Sequence, residues 1–154
     1  MNRQDVDTQG TVQDVQLVRE GLFACLDDAF MRRDFAAFDE VVREDVVTEL
    51  PGTSWLAGTH NGREAFGRFV VAMRQVLHST EKPARYVHEG DQMMVEHDVL
   101  VMGPRHQVEM TLRIDMRFDT DGKISSAVVA PEDLALFDHV ANSIMHDVQT
   151  LDRH

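Results

Sequence analysis

Cysteine is almost absent from this chain: Cys25 is the only one among 154 residues, so no intramolecular disulfide can form. It falls inside an apolar helical pattern and is expected as a buried structural residue, not a nucleophile. No uninterrupted apolar run approaches the ~20 residues that a bilayer span requires. The opening Met1-Asn2-Arg3-Gln4-Asp5 lacks the apolar stretch of a secretory signal. A cytoplasmic protein without membrane attachment is the expectation. Basic residues are scarce, 15 against 27 acidic for a net charge of −12. Nucleic acid is therefore not an expected partner, because phosphate recognition draws its affinity from a basic patch. Phosphate-cradling glycine loops and Gly-x-Ser-x-Gly turns are missing. His139 and His146 are seven apart with no third ligand nearby, and Asp119-x-Asp121-Gly122 lacks the later acids of a calcium loop. Neither a metal nor a cofactor is expected.

What the chain does have is clear patterning. Met110, Leu112, Ile114, Met116 and Phe118 alternate with Thr111, Arg113, Asp115, Arg117 and Asp119. Period two means a strand with one apolar and one wet face. Asp121-Gly122 then marks a hairpin turn into a strand from Ile124 to Ala130. Further strands are expected over Val46–Leu50, Ala84–Glu89 and Met93–Met102. Helical spacing appears over Val12–Arg32, with Val15, Val18, Leu22, Leu26 and Ala29 in one stripe, widened by Phe23 and Phe30. Asp34 suits the cap of a short helix, Asn61 with Glu64 the start of a longer one that carries Phe66, Phe69, Val70, Met73 and Leu77 and is broken by Lys82-Pro83, and Pro131-Glu132-Asp133 the start of a last one. The last helix carries Leu134, Phe137, Ala141, Ile144 and Val148 on one face. Helices cluster early and strands late, which makes the fold α+β with a mostly antiparallel sheet. Residues 1–10 read as a disordered tail and 11–154 as one domain.

Three segments resemble the nuclear-transport-factor-2-like superfamily and, within it, the SnoaL-like domains. They are Met31-Arg32-Arg33-Asp34-Phe35-Ala36-Ala37-Phe38, Gly58-Thr59-His60-Asn61-Gly62-Arg63-Glu64-Ala65, and Phe118 to Ile124. The resemblance covers about Val15 to Val140. It implies a curved sheet wrapped around helices into a cone with an apolar pocket, and a homodimer formed through the outer sheet face. Members include ketosteroid isomerases, polyketide cyclases and epoxide hydrolases, which implies an apolar small molecule as partner and cofactor-free acid–base chemistry (isomerase, cyclase or hydrolase). A non-catalytic ligand-binding or dimerisation module is the alternative.

The resemblance also assigns residues. The three polar positions of the ketosteroid isomerases hold Leu26, Leu50 and Ile114, so the groups for that isomerisation are absent. The Arg-x-Asp strand of limonene-type epoxide hydrolases is similar to Glu96-His97-Asp98, with Asp98 on the family's acid and Glu96 in place of its arginine. The water-positioning tyrosine and asparagine become Val47 and Glu49, and the second acid becomes Val129 or lies near Glu132. Asp98 is thus the candidate acid or base, with Glu96 or Glu49 assisting. Leu26, Phe30, Leu50, Phe69, Leu112, Ile114 and Met116 are the candidate pocket lining, and Trp55 and His60 border its mouth. Nine methionines suit an adaptable apolar wall.

Two registers stay open for the strand that carries Asp98. In one, Glu96 and Asp98 look into the cone ~7 Å apart, twice the strand rise, and desolvation lets one keep its proton near neutral pH. In the other, Val95, His97, Val99 and Val101 form the inner face and both acids stand in water. His97 is then either a satisfied core histidine or a base.

Overall fold

Strands with one dry face must lie against something apolar, and here they join in one sheet folded around helices. The computed structural model describes residues 3–105 and 107–152. The side chains of residues 3–11 and 145–152 lie outside that description, so the expected inward position of Val148 does too. The strands are β1 (Val42–Leu50), β2 (Gly58–Asn61), β3 (Leu77–Ser79), β4 (Arg85–Glu89), β5 (Gln92–Met102), β6 (Gln107–Phe118) and β7 (Ile124–Pro131). The helices are α1 (Arg3–Met31), α2 (Arg63–Val76) and α3 (Leu134–Asp152), with a 3-10 turn at Phe35–Phe38. Neighbours follow the order β2-β1-β7-β6-β5-β3, and β4 also pairs with β5. β1 and β7 run parallel, the other pairs antiparallel. The result is an α+β cone, a strongly curved open sheet around α1 and α2.

The β6–β7 hairpin turns where the sequence marks it. Asp119 Oδ1 accepts from the backbone N–H groups of Asp121 and Lys123 at 2.9 and 2.8 Å, and Gly122 supplies the positive φ of 81°. β1 begins at Val42, four residues before the expected Val46, because Val42 already pairs with Ile124. Pro131 ends β7 opposite Leu112 and does not open α3. Asp133 caps α3 instead, accepting from Leu136 N–H at 3.1 Å. Asn61 is not a cap either: it pairs with Val47 in β2, and Gly62 precedes α2.

Helix α1 departs most from the sequence reading. It starts at Arg3, so the segment expected as a tail is helical backbone from Arg3 onward, with Met1 and Asn2 outside the described residues. Val15 and Val18, placed on the inner stripe, are 40% and 70% exposed. This half of the helix extends past the sheet rim, where Arg19 donates to Gly90 O at 3.0 Å and His88 meets Glu20 at 2.6 Å. Cys25 is exposed, not buried. It stands about 200° around the helix from Phe23, two residues at ~100° each, and Phe23 faces the core. At its end α1 closes with a left-handed Arg33 (φ 62°), with Asp34 N–H on Ala29 O at 2.8 Å and Arg33 N–H on Phe30 O at 3.2 Å. That is the bonding of a helix stop normally built on glycine.

Two apolar clusters fill the cone. Phe23, Phe38, Val46, Phe66, Val95 and Met116 belong to the first. Leu50, Met73, Val101, Leu112, Phe137 and Val140 belong to the second, where α3 lies across the end of the sheet. The loop after β1 anchors α3. Asp138 Oδ2 accepts from Thr53 N–H at 2.9 Å, and a Cβ on Gly52 would fall 2.5 Å from that carboxylate oxygen. No helix of the described residues is long and apolar enough to cross a membrane.

Arg33→Gly is expected to raise stability by about 1 kcal/mol, the cost of a left-handed residue carrying Cβ. It also removes a positive charge that acts on Arg74. Urea unfolding of the two proteins measures it, and a loss of stability would contradict the assignment.

Candidate functional site

The register of β5 decides which side chains meet the interior. Its exposure alternates strictly, with Met93, Val95, His97, Val99 and Val101 buried and the residues between them half-exposed. Eleven consecutive pairs with β6, from Gln92↔Arg117 to Met102↔Gln107, hold that register. His97 therefore looks into the cone, and Glu96 and Asp98 look out.

Between the two clusters lies a cavity of about 130 Å³. Phe23, Leu26 and Phe30 of α1 form one side, and Phe66, Phe69, Val70 and Met73 of α2 another. The sheet contributes Val99, Leu112, Ile114, Met116, Ala127 and Val129, among others. Of the expected lining, Leu26, Phe30, Phe69, Leu112, Ile114 and Met116 are in place. Three expected residues are not. Leu50 packs into the α3 cluster. Trp55 is occupied in anchoring α3, with Nε1 donating to Ala141 O at 2.8 Å and its backbone N–H to Asn142 Oδ1 at 3.0 Å. His60 packs on Phe69, ring centroids 4.8 Å apart, with Nε2 2.9 Å from Leu56 O. Of the methionines, Met73 and Met116 line the cavity, whereas Met94 and Met102 are on the outer face.

Four polar side chains line this apolar space: Asp27, Thr48, Ser79 and His97. Asp27, Ser79 and His97 form one group. Ser79 Oγ donates to Asp27 Oδ1 at 2.5 Å, and His97 Nε2 lies 3.4 Å from the same oxygen. At that distance the His97 contact is too long for a good hydrogen bond, and it is an ion pair only when the imidazole carries a proton. Neither His97 nitrogen has a hydrogen-bond partner among the described residues, though the residue is only 5% exposed. Phe23 meets the His97 ring edge to face at 5.7 Å. Burial pushes the Asp27 carboxyl upward, but His97 and Ser79 act more strongly together and hold it below the usual carboxylate range. Asp27 therefore stays ionised. Its side chain is 27% exposed against 7% for His97, so the pair runs from solvent into the cavity.

The sheet edge opens at this place. β3 covers β5 at Val99 to Val101 and β4 covers it from Gln92 to Glu96, which leaves His97 and Asp98 at the junction. Thr80 bridges the gap, its N–H and Oγ1 both donating to Asp98 O. Arg74 braces the back, donating at 3.3 Å to Leu77 O and to Met31 O at the end of α1. On the far side of the cavity is Thr48, 1% exposed, with an Oγ1 that has no partner among the described residues.

The three acids assigned by resemblance lie outside the cavity. Asp98 accepts from Thr111 Oγ1 at 2.9 Å and from Arg85 at 3.4 Å. These two hydrogen bonds, Thr111's first, lower its pKa and keep it charged. Glu96 pairs with Arg85 at 3.3 Å. Glu49 is exposed on β1, whose inner residues are Val46, Thr48 and Leu50. The physical reason is the usual one, that strand acids go to the wet face when an apolar face is available. Of the interior polar group, only His97 was among the sequence candidates. Asp27 had a signal: it lies four after Phe23 and three before Phe30, in the middle of the inner stripe. Ser79 and Thr48 had none beyond Thr48 alternating with Val46 and Leu50. Among the described residues no three His, Cys, Asp or Glu side chains are placed to hold a metal ion.

A cone of this architecture is the fold of the NTF2-like proteins, and many solved structures match it, among them the following three. An NTF2-like protein of Burkholderia xenovorans LB400 aligns with a TM-score of 0.67 at 23% identity, over 83% of this chain and 95% of its own. A Xanthomonas campestris protein of unknown function with a cystatin-like fold gives 0.68 at 18%, over 81% and 97%. TerC, co-crystallised with polyporic acid, gives 0.68 at 19%, over 81% and 98%. At these identities the likeness is one of fold. A search of curated proteins gives no match. The SnoaL-like domain model matches residues 24–127, and the chain belongs to that family.

Because its pKa is lowered on folding, Asp27 contributes stability above the unfolded value of ~3.9, lost as pH falls through the folded value. Asp27→Asn keeps the shape and an acceptor for Ser79. It is expected to cost about 1–2 kcal/mol near pH 7, in urea melts, with the gap closing as pH falls through the lowered folded-state value. A gap independent of pH would contradict an Asp27 held ionised beside His97 and Ser79.

Proposed function

We propose that this protein binds a mostly apolar small molecule in the cone and acts on it as a cofactor-independent acid–base catalyst, of isomerase, cyclase or hydrolase type. One observation carries the reading: a histidine 5% exposed, without a hydrogen-bond partner among the described residues, facing an apolar cavity and paired with a carboxylate at its rim. Leaving such a group unsatisfied costs free energy, and a ligand atom offsets that cost.

The geometry supports one assignment of roles. With Asp27 ionised, the proton on the His97 ring belongs on Nε2, toward the carboxylate. Nδ1 then keeps its lone pair and serves as the base. When Nδ1 takes a proton from the ligand, Asp27 stabilises the imidazolium. Ser79 holds Asp27 in position, and the partial exposure of Asp27 gives the pair a route to exchange protons with water. The apolar walls exclude water from the ligand and strengthen the electrostatics between it and His97. The likeness to a protein co-crystallised with polyporic acid agrees with a small-molecule role. Carriage without chemistry is the second reading. It draws on the outward position of Asp98, the residue that matches the epoxide-hydrolase acid.

A pairing of two copies through the outer sheet face is part of the same proposal. Half-exposed Met94, Leu100 and Met102 of β5 and Val128 and Ala130 of β7 stand there among Arg113, Asp115 and Arg117. An apolar centre with both charge signs around it suits a self-complementary interface. Sedimentation at micromolar concentration should give a dimer that Leu100→Arg converts to a folded monomer. A wild-type monomer would remove the pairing.

NMR screening of an apolar fragment set tests the pocket itself, with the methyl signals of Met73 and Met116 as reporters. Among cyclic ketones that bind, exchange of the α-hydrogen for deuterium should be about a hundredfold slower in His97→Gln than in wild type, with affinity nearly unchanged. Equal exchange in both leaves binding without catalysis. No fragment moving either methyl would overturn the whole reading.

A further inference from the structure

The size and wall chemistry of the cavity narrow the ligand beyond "apolar small molecule". Its volume is about 130 Å³, and an engineered apolar cavity of ~150 Å³ in another protein holds benzene. Two fused rings need more room than this. They would have to protrude past Asp27 or displace Phe23 and Phe30. His97 and Thr48 both look inward, both are more than nine-tenths buried, and neither has a hydrogen-bond partner among the described residues. They stand on different walls, since β7 and β6 separate β1 from β5 in the sheet, and each presents its polar atom to its own side of the space. Charge sets the third limit. Asp27 is an acid on the wall, and no Lys or Arg is among the lining residues. A carboxylate or phosphate ligand would meet repulsion with no compensating cation.

Resting on the small-molecule reading above, we propose that the ligand is a neutral one-ring molecule with oxygen functions at two separate positions, such as a dihydroxylated aromatic or cyclic hydroxyketone. One oxygen meets His97 and carries, or lies next to, the proton that is moved. The other meets the Thr48 hydroxyl, which fixes the orientation of the ring. Thr48 is in this sense a specificity residue. The walls of Leu, Ile, Val, Met and Phe side chains cover the ring and recognise shape only, so the two buried polar atoms carry the discrimination.

The test is an NMR titration of the full chain with phenol, hydroquinone, 4-hydroxybenzoate and naphthalene-2,6-diol, read at the methyls of Met73 and Met116. Hydroquinone is expected to bind at least tenfold more tightly than the benzoate or the naphthalenediol. Thr48→Val, which keeps the shape, should weaken hydroquinone about tenfold and change phenol less than twofold. Naphthalenediol binding more tightly than hydroquinone would overturn the one-ring limit. Benzoate binding as well as hydroquinone would overturn neutrality, and an indifferent Thr48→Val would overturn the two-oxygen requirement. All three results leave the pocket reading standing. If none of the four compounds binds but other apolar fragments do, only the present proposal fails. If nothing binds at all, both fail together.

Discussion

The face that β5 turns inward is the constraint on which the rest depends. A slip of one residue would exchange its two faces completely. Val95, Val99 and Val101 on one face outweigh Met94, Leu100 and Met102 on the other, because the latter share their face with Glu96 and Asp98. Both sets are apolar enough to be buried, but only one can be buried without acids. The pairing with β6 adds to this choice, since Met110, Leu112 and Met116 require the same inner face. Once the register is set, His97 has no alternative to the interior. Asp98, one residue on, has none to Arg85 and Thr111.

A buried histidine and threonine in an apolar cone weaken the fold that holds them, because their polar atoms give up water without gaining a hydrogen-bond partner among the described residues. The cone offsets this at its ends. Asp138 and Asn142 bind α3 to the loop after β1, and Arg74 joins the last turns of α1 and α2 to β3. These polar contacts lie around the cavity and not in it, so they fix the walls without filling the space. Asp27 is the exception. It belongs to the wall and to the rim at once, and its partial exposure lets the carboxylate keep its charge beside a buried imidazole.

Much of the architecture was legible because it rests on local rules. The alternation of β6, the Asp119 to Lys123 turn and the apolar stripe of α2 each need only neighbouring residues to be interpreted. So does the family resemblance, whose segments sit at the end of α1, the entry to α2 and that turn. Six lining residues were legible for the same reason: their faces follow from periodicity. The errors came where two elements compete for one side chain. Leu50 and Trp55 were assigned to the pocket but pack with α3, which covers that end of the cone. Val15 and Val18 carry the right spacing for burial, but the sheet ends before it reaches them.

Periodicity specified the α+β cone and left the two faces of β5 as alternatives, because strand spacing tells which residues share a face and not where that face points. Asp27, Ser79 and His97 come from α1, β3 and β5, far apart in the chain, and are joined only when the sheet curls. No local pattern encodes that approach. Sequence proximity made Asp98 and Glu96 look like a pair, whereas the cone brings together a histidine and a carboxylate that sequence keeps far apart. The fold class is a property of spacing along the chain. The site is a property of closure in space, and the curvature of the sheet around α1 is what decided it.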